Sequence, residues 1–237
     1  LFTAIAAVAA EVAKDTLYPS GTWRYKMSVS VETPEGIKTG SAVREVHFEH
    51  WQPGLDVPEI PNVKSSLKGE AVVVDLGKRG KVFALLNGYF LGPDYAKYIT
   101  FHTFPMPGKL PGNGGTTPEG LKYYSNLKDA KVALKPYQYP VLVTFTDMHD
   151  AKTVVPLMEI DKSAHNPQDW PIKTNDLEKY FGEGVKLQNI TIEMTEEPVT
   201  HNVEKYLPSF GEETGYWDWV KGLSYEDPRR LGLSNFK

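Results

Sequence analysis

Trp23, Tyr25, Met27, Val29 and Val31 alternate with Arg24, Lys26, Ser28, Ser30 and Glu32. Successive Cβ atoms of an extended chain point to opposite sides, so this two-residue period gathers the apolar side chains on one face. A strand of this kind needs a core on one side and water on the other, which is the signature of antiparallel pairing. Thr33-Pro34-Glu35-Gly36 follows as a turn. Pro presets φ at the second position, and Gly accepts a positive φ. From Lys38 to Trp51 the alternation resumes, with Ala42, Val46 and Phe48 set against Arg44, Glu45 and Glu49. The two runs predict a β-hairpin.

Residues Gln52 to Ser66 are rich in Pro and polar side chains and read as a connection. Gly69 to Leu76 predicts a strand buried on both faces, because Val72, Val73 and Val74 are consecutive. Gly77-Lys78-Arg79-Gly80 is a tight turn, and Lys81 to Leu86 returns beside the strand. Pro93 to Phe101 predicts a short helix, with Tyr95, Tyr98 and Ile99 at helical spacing. Phe104 to Thr117 is the longest breaker-rich loop. Its Gly112, Gly114 and Gly115 precede no Lys-Ser/Thr pair, so it is not a phosphate-binding loop. Thr117 then caps a helix with Pro118 at its first position and Leu121, Tyr124 and Leu127 along one side.

Tyr139 to Thr195 is dense in fold signals. An apolar strand, Tyr139 to Phe145, runs into the acidic turn Thr146-Asp147-Met148-His149-Asp150. A helix over Asp176 to Phe181 is capped by Asn175 or Thr174 and ends at Gly182 or Gly184. Lys186 to Met194 alternates as a strand. The stretch reads as the central β-α-β passage of a single domain over residues 22–208, with one more helical turn in Thr200 to Tyr206. Residues 209–237 mix charge with aromatics and read as an extended tail that docks on its own domain, on a partner or at a membrane interface. The fold class is mainly β (α+β): an antiparallel sheet, sandwich or partial barrel with a few short helices and an apolar N-terminal helix over residues 1–17.

That N-terminal run, LFTAIAAVAA, has no polar face, whereas a surface helix is amphipathic. Ten residues are too few to cross a bilayer, which takes about 20. The run therefore reads as the end of a membrane anchor, in a chain whose first residue, Leu, implies a processed or missing start. The net charge of −4 carries no basic block, which argues against nucleic-acid binding. The chain has no cysteine, so disulfides, thiolate metal sites and cysteine nucleophiles are excluded.

Few constellations carry chemistry. His47 and His50 stand three apart on a strand and point to opposite faces, a poor arrangement for a shared metal. Asp147, His149 and Asp150 form the best polar cluster, with Ca²⁺ binding or a His general base as its chemistry. The Gly and terminal Glu of a calcium loop are missing, and Asp favours turns simply by bonding nearby amides. No Gly-x-Ser-x-Gly elbow occurs. Glu70 and Asp75 read as strand-end charges on opposite faces. Asn189-Ile190-Thr191 fits a glycosylation sequon but lies within a strand. Tyr95, Tyr98, Tyr123, Tyr124, Tyr137 and Tyr139 crowd the middle third and read as core and half-buried packing, with a carbohydrate or partner surface as the competing expectation.

Five runs occur in a fixed order: Ser30 to Gly36 with Thr39 to Val46, Lys68 to Gly77, Pro140 to Asp147 with Lys152 to Val154, Phe181 to Leu187, and Ile190 to Thr200. In these runs the chain resembles, over Tyr25 to Pro208, a group of uncharacterised proteobacterial proteins with an N-terminal membrane span ahead of a mainly β domain. The resemblance implies an inner-membrane anchor and a periplasm-facing domain, and it implies no activity. His149 stands where that group has Asn, which counts against a catalytic His. The resulting expectation is a non-catalytic, membrane-tethered accessory or scaffolding subunit without a cofactor. Its partner is a membrane protein or complex, and its contacts are Trp217, Trp219 and Tyr216, with Phe2 and Ile5 in the membrane. Two alternatives stand beside it: a small-molecule or lipid-binding β domain, and a hydrolase with a dispersed site near Asp147 to Asp150.

Overall fold

The computed structural model describes residues 19–50, 63–225 and 227–237. The expected N-terminal helix, with Phe2 and Ile5, lies outside the described residues. No helix among the described residues is long and apolar enough to cross a membrane.

The chain begins with β1 (Ser20–Thr33), β2 (Gly36–His50), β3 (Val63–Lys68), β4 (Val72–Asp75) and β5 (Lys81–Gly88). Two helices follow, α1 (Tyr95–Thr103) and α2 (Pro118–Asn126), then β6 (Lys131–Ala133), β7 (Pro140–Phe145), β8 (Val154–Pro156), β9 (Met158–Ile160) and β10 (Ile172–Asn175). The last elements are α3 (Leu177–Phe181), β11 (Lys186–Met194) and α4 (Tyr216–Gly222). Sheet one has the order β3-β2-β1-β11-β6 and sheet two the order β4-β5-β7-β8. β9 and β10 form a separate ribbon. Adjacent strands run antiparallel throughout.

The organising strand is β1. It pairs with β2 from Ser20 to Thr33 and with β11 from Tyr25 to Glu32. The β1–β2 hairpin closes where its alternation predicts, with Thr33 opposite Gly36. There the Thr33 hydroxyl donates to Gly36 O at 2.7 Å and accepts from Glu35 N–H at 3.2 Å. The stretch Tyr139 to Thr195 is not one β-α-β passage: β7 lies in sheet two and β11 in sheet one. The expected connection over Gln52 to Ser66 already contains strand from Val63 onward, on the edge of sheet one.

The sheets pack through one apolar layer. Tyr25, Met27, Val29 and Val31 of β1 meet Val72 and Val74 of β4, Val82, Ala84 and Leu86 of β5, and Leu142 of β7. The alternate residues of sheet two, Phe83, Leu85, Val141, Val143 and Phe145, turn the other way and pack on Val203, Leu231 and Phe236. Sheet two is thus the middle layer, with sheet one on one face and the C-terminal segment on the other. Its unbroken apolar runs follow, because both faces of every strand need a cover. At Gly40 the β2 backbone passes so close to β4 that a Cβ would overlap Val73 O, so only glycine fits.

Helices α1 and α2 close one end of the sandwich. Thr117 caps α2, its Oγ1 accepting from Gly120 N–H at 3.2 Å. Trp23 stacks on Phe48 with centroids 5.5 Å apart and planes within 8°, and it meets Phe101 of α1 and Tyr124 of α2. The buried tyrosines find acceptors, as aromatic hydroxyls taken from water must: Tyr25 OH donates to Ala96 O, Tyr95 OH to Gln138 O, and Tyr124 OH to Phe104 O.

A polar clasp joins three turns. Arg79 follows β4 in a 3-10 turn. Its guanidinium donates to both Glu35 carboxylate oxygens, at 2.8 and 3.0 Å, and to Phe181 O at 2.7 Å. This hydrogen bond holds the Glu35 carboxyl down at about 2. A carboxyl depressed on folding contributes stability above its unfolded pKa and loses it as pH falls through the folded one. The clasp is therefore intact at pH 5 and opens as the pH approaches about 2. Carboxyl NMR titration checks this, and Arg79→Ala is expected to return the Glu35 midpoint to the ordinary carboxylate range.

Candidate functional site

The segment after β11 is expected as an extended tail, and in the structure it folds. A 3-10 turn spans Val203–Tyr206, Pro208 breaks the chain, and a second 3-10 turn spans Glu212–Thr214. Gly215, in the left-handed region at φ 64°, redirects the backbone into α4. Three buried anchors then hold the segment: Leu231 and Phe236 pack on sheet two, and Tyr216 packs with Ala151, which follows β7. Tyr216 OH donates to Leu231 O at 2.8 Å, and Ala71 N–H donates to Phe236 O at 2.7 Å.

This packing leaves an apolar cleft of about 410 Å³ between the 3-10 turn at 203–206, α4 and the chain end. Leu207, Phe210, Trp217 and Leu233 line it, and the Glu204–Lys237 ion pair spans one wall. Trp217 is 39% exposed and Leu233 36%. The indole has a fixed seat: it lies over Gly232, where a Cβ would meet Cη2 at 3.2 Å, and it packs edge-on against Tyr216 at 5.4 Å. Gly211 closes the lining, and the exposed Glu213 folds its carboxylate over it. The surface is an apolar notch whose lining charges, Glu204 and Lys237, pair with each other.

The expected contact residues divide. Trp217 faces the cleft. Tyr216 is fully buried, and Trp219 is half-buried against Tyr216 at 5.5 Å, so both serve as foundation. Leu207, Phe210 and Leu233 were not legible as cleft residues, since none belongs to a periodic run. Among the crowded tyrosines, Tyr95, Tyr124 and Tyr137 are buried, while Tyr98, Tyr123 and Tyr139 pack against the core from partly buried positions. They form no separate aromatic surface.

The Asp147–Asp150 cluster makes turns. Asp147 Oδ1 accepts from His149 N–H and Asp150 Oδ1 from Lys152 N–H, each two residues on. Thr153 Oγ1 donates to the main-chain oxygens of Asp147 and Asp150. His149 lines a cleft of about 340 Å³ with Lys81, Lys205 and Tyr206, in whose lining the Tyr206 phenol is the one side-chain hydroxyl. His47 Nδ1 lies 2.8 Å from Thr22 Oγ1. Among the described residues no group of His, Cys, Asp and Glu is arranged to hold a metal. Between the sheets, among the described residues, the side chains of Tyr25, Met27 and Arg44 are fully buried.

Two charged residues sit where the alternation did not put them. Arg44, set with the outward Glu45 and Glu49 above, is fully buried. Parity explains it: 42, 44, 46 and 48 share the inner face of β2. Its Nε donates to Glu70 O at 3.0 Å, and Nη1 reaches Tyr25 OH at 3.5 Å and Met27 Sδ at 3.6 Å. Asp75 does behave as a strand-end charge, 3.3 Å from Lys81 Nζ. Glu70 does not: it is buried, and its carboxylate accepts the backbone N–H groups of Asn202 and Val203. The available signal was its place directly before a strand buried on both faces, where a charge needs a partner.

Comparison of the chain with family models, with curated proteins and with solved structures finds no match in any of the three.

Proposed function

We propose that this chain is a non-catalytic accessory domain that grips a partner protein by an apolar side chain seated in the Trp217 cleft. The observation that carries the reading is the pre-set indole: Trp217 is exposed, yet fixed over Gly232 at the mouth of an apolar cleft of about 410 Å³. Tryptophan is enriched among the few residues that carry most of the affinity at protein interfaces. The Glu213 carboxylate, folded over Gly211 of the lining, favours a partner segment whose apolar anchor is flanked by Lys or Arg. The apolar run Leu1 to Ala10 and the resemblance over Tyr25 to Pro208 support a membrane tether, a periplasm-facing domain and a membrane protein as the partner.

The test is the affinity of the full-length protein for the membrane protein that co-purifies with it in mild detergent. Trp217→Ala is expected to weaken binding roughly thirtyfold, the factor that about 2 kcal/mol for a hot-spot residue represents. Tyr225→Ala, at a position 90% exposed and outside the cleft, serves as the control and leaves binding unchanged. Equal affinities for the two variants overturn the reading.

A further inference from the structure

We propose that Glu70 is the recognition group of a second site, which binds a compact organic cation: a primary ammonium or a guanidinium group. Glu70 lies just ahead of β4 and is 4% exposed. Its Oε2 accepts from Val203 N–H at 2.6 Å and from Asn202 N–H. Among the described residues these backbone amides are the only donors to the carboxylate, and both go to the same oxygen. Oε1 has no donor among the described residues.

The cations of the neighbouring segments are engaged elsewhere. Arg44 touches Glu70 only at the main-chain oxygen, and its Nη1 turns into the sandwich toward Tyr25 and Met27. Lys205 Nζ stops at Asn202 Oδ1, 3.0 Å away. Lys81 pairs with Asp75 and lies 5.6 Å from the centre of the Tyr206 ring. Glu70 is therefore a carboxylate largely removed from water, locked in direction by main-chain donors and not neutralised by an ion pair with any of these three. Such a group gains most from a cation delivered to it, because most of its desolvation is already incurred on folding and charge-assisted hydrogen bonds are the strong ones.

The carboxylate opens into a cleft of about 220 Å³ walled by Ser41, Val73, Asn202 and Tyr206. That is below the roughly 300–1,000 Å³ of pockets that enclose drug-sized ligands. It suits a head group of a few heavy atoms on a short alkyl stem. Val73 and Tyr206 offer apolar surface to the stem. The Ser41 hydroxyl offers a further acceptor to the N–H groups that Oε1 does not take.

The experiment follows the backbone amide signals of Asn202 and Val203 by NMR while n-butylammonium chloride or ethylguanidinium chloride is added, with n-butanol as the neutral control. Saturable shifts are expected with both cations and none with n-butanol. Glu70→Gln keeps a carbonyl oxygen for the two amides and is expected to weaken the cations at least tenfold. Ser41→Phe, at an exposed strand position, blocks the mouth with Glu70 intact and is expected to weaken them as much, so the outcome does not hang on the folding of one variant. A capped Gly-Lys-Gly peptide divides the sources. Tighter binding than n-butylammonium assigns the site to a partner's side chain, and equal or weaker binding to a free amine. The proposal fails if no cation saturates, if n-butanol matches them, or if both variants bind as the parent does. Trp217→Ala leaves the result unchanged, so this site and the Trp217 cleft stand or fall separately.

Discussion

Phe236→Ala is expected to cost about 3–5 kcal/mol, the range for removing a buried phenylalanine and leaving its cavity. Phe236 is fully buried, and it holds three rings together: centroids lie 5.5 Å away at Phe210, 5.9 Å at Phe83 and 6.1 Å at Phe145. Phe83 and Phe145 belong to sheet two, so the loss reaches the middle layer of the fold. It also loosens the C-terminal segment that builds the cleft. Denaturant unfolding at constant slope measures the first effect, and hydrogen exchange the second, with the largest gain expected in residues 209–237. A cost below about 1 kcal/mol, in the range of ordinary surface substitutions, would show that the segment only rests on the sheet.

The second large effect separates two roles of Arg44. Its guanidinium has neutral acceptors only, and Nη2 has no hydrogen-bond partner among the described residues. Tyr25 offers no counter-charge: burial raises the pKa of its phenol, against the opposing pull of Arg44, so it stays protonated near neutral pH. A buried charge without an ion pair gives back much of what its contacts contribute. What remains is the long stem, which fills the layer beside Gly69, where a Cβ would already crowd Arg44 Cγ at 2.9 Å. Arg44→Ala is expected to cost about 2–5 kcal/mol as a large-to-small core change. Arg44→Met keeps the volume, and its cost is expected within about 1–3 kcal/mol, set by the Glu70 carbonyl left without its donor. If denaturation finds the two variants equally destabilised, the hydrogen bonds and not the stem hold the sheets together.

Much of this fold is legible in the sequence wherever one physical rule acts alone. The alternation from Trp23 to Val31 and the Pro34-Glu35-Gly36 turn mark the first hairpin, because a half-buried strand leaves no other pattern. Thr117-Pro118 places the start of α2, since a hydroxyl cap and a proline at the first position both suit a helix end. β3 escapes, because Val63-Lys64-Ser65-Ser66-Leu67-Lys68 carries only two apolar residues and takes its strand form from pairing with β2. Its edge position also explains the polar composition.

The candidate site was harder to see, for a reason that lies in long-range packing. Tyr216, Leu231 and Phe236 hold the C-terminal segment at irregular spacing, through single anchors that no helical or strand period relates. One clue did exist. Pro140 to Phe145 is buried at every position, and Val72 to Val74 are apolar without a break. Strands of that kind demand a cover on both faces, and residues 209–237 supply the second cover. Trp217 stands out by residue type, but the partners that make it a cleft, Leu207, Phe210 and Leu233, belong to no periodic run. Arg44 escapes because its parity with Ala42, Val46 and Phe48 outweighs its charge, and Glu70 because its partners, the Asn202 and Val203 amides, lie far along the chain.

The most direct measurement replaces Leu233, on the wall of the cleft, with a photo-crosslinking residue in the full-length protein in its source cells. Mass spectrometry then maps the adduct. The expected result is an adduct to one membrane protein, at an apolar residue flanked by Lys or Arg, and its loss when Trp217→Ala is added. No protein adduct beyond that formed from the exposed control position Tyr225, or an adduct that Trp217→Ala leaves unchanged, would contradict it.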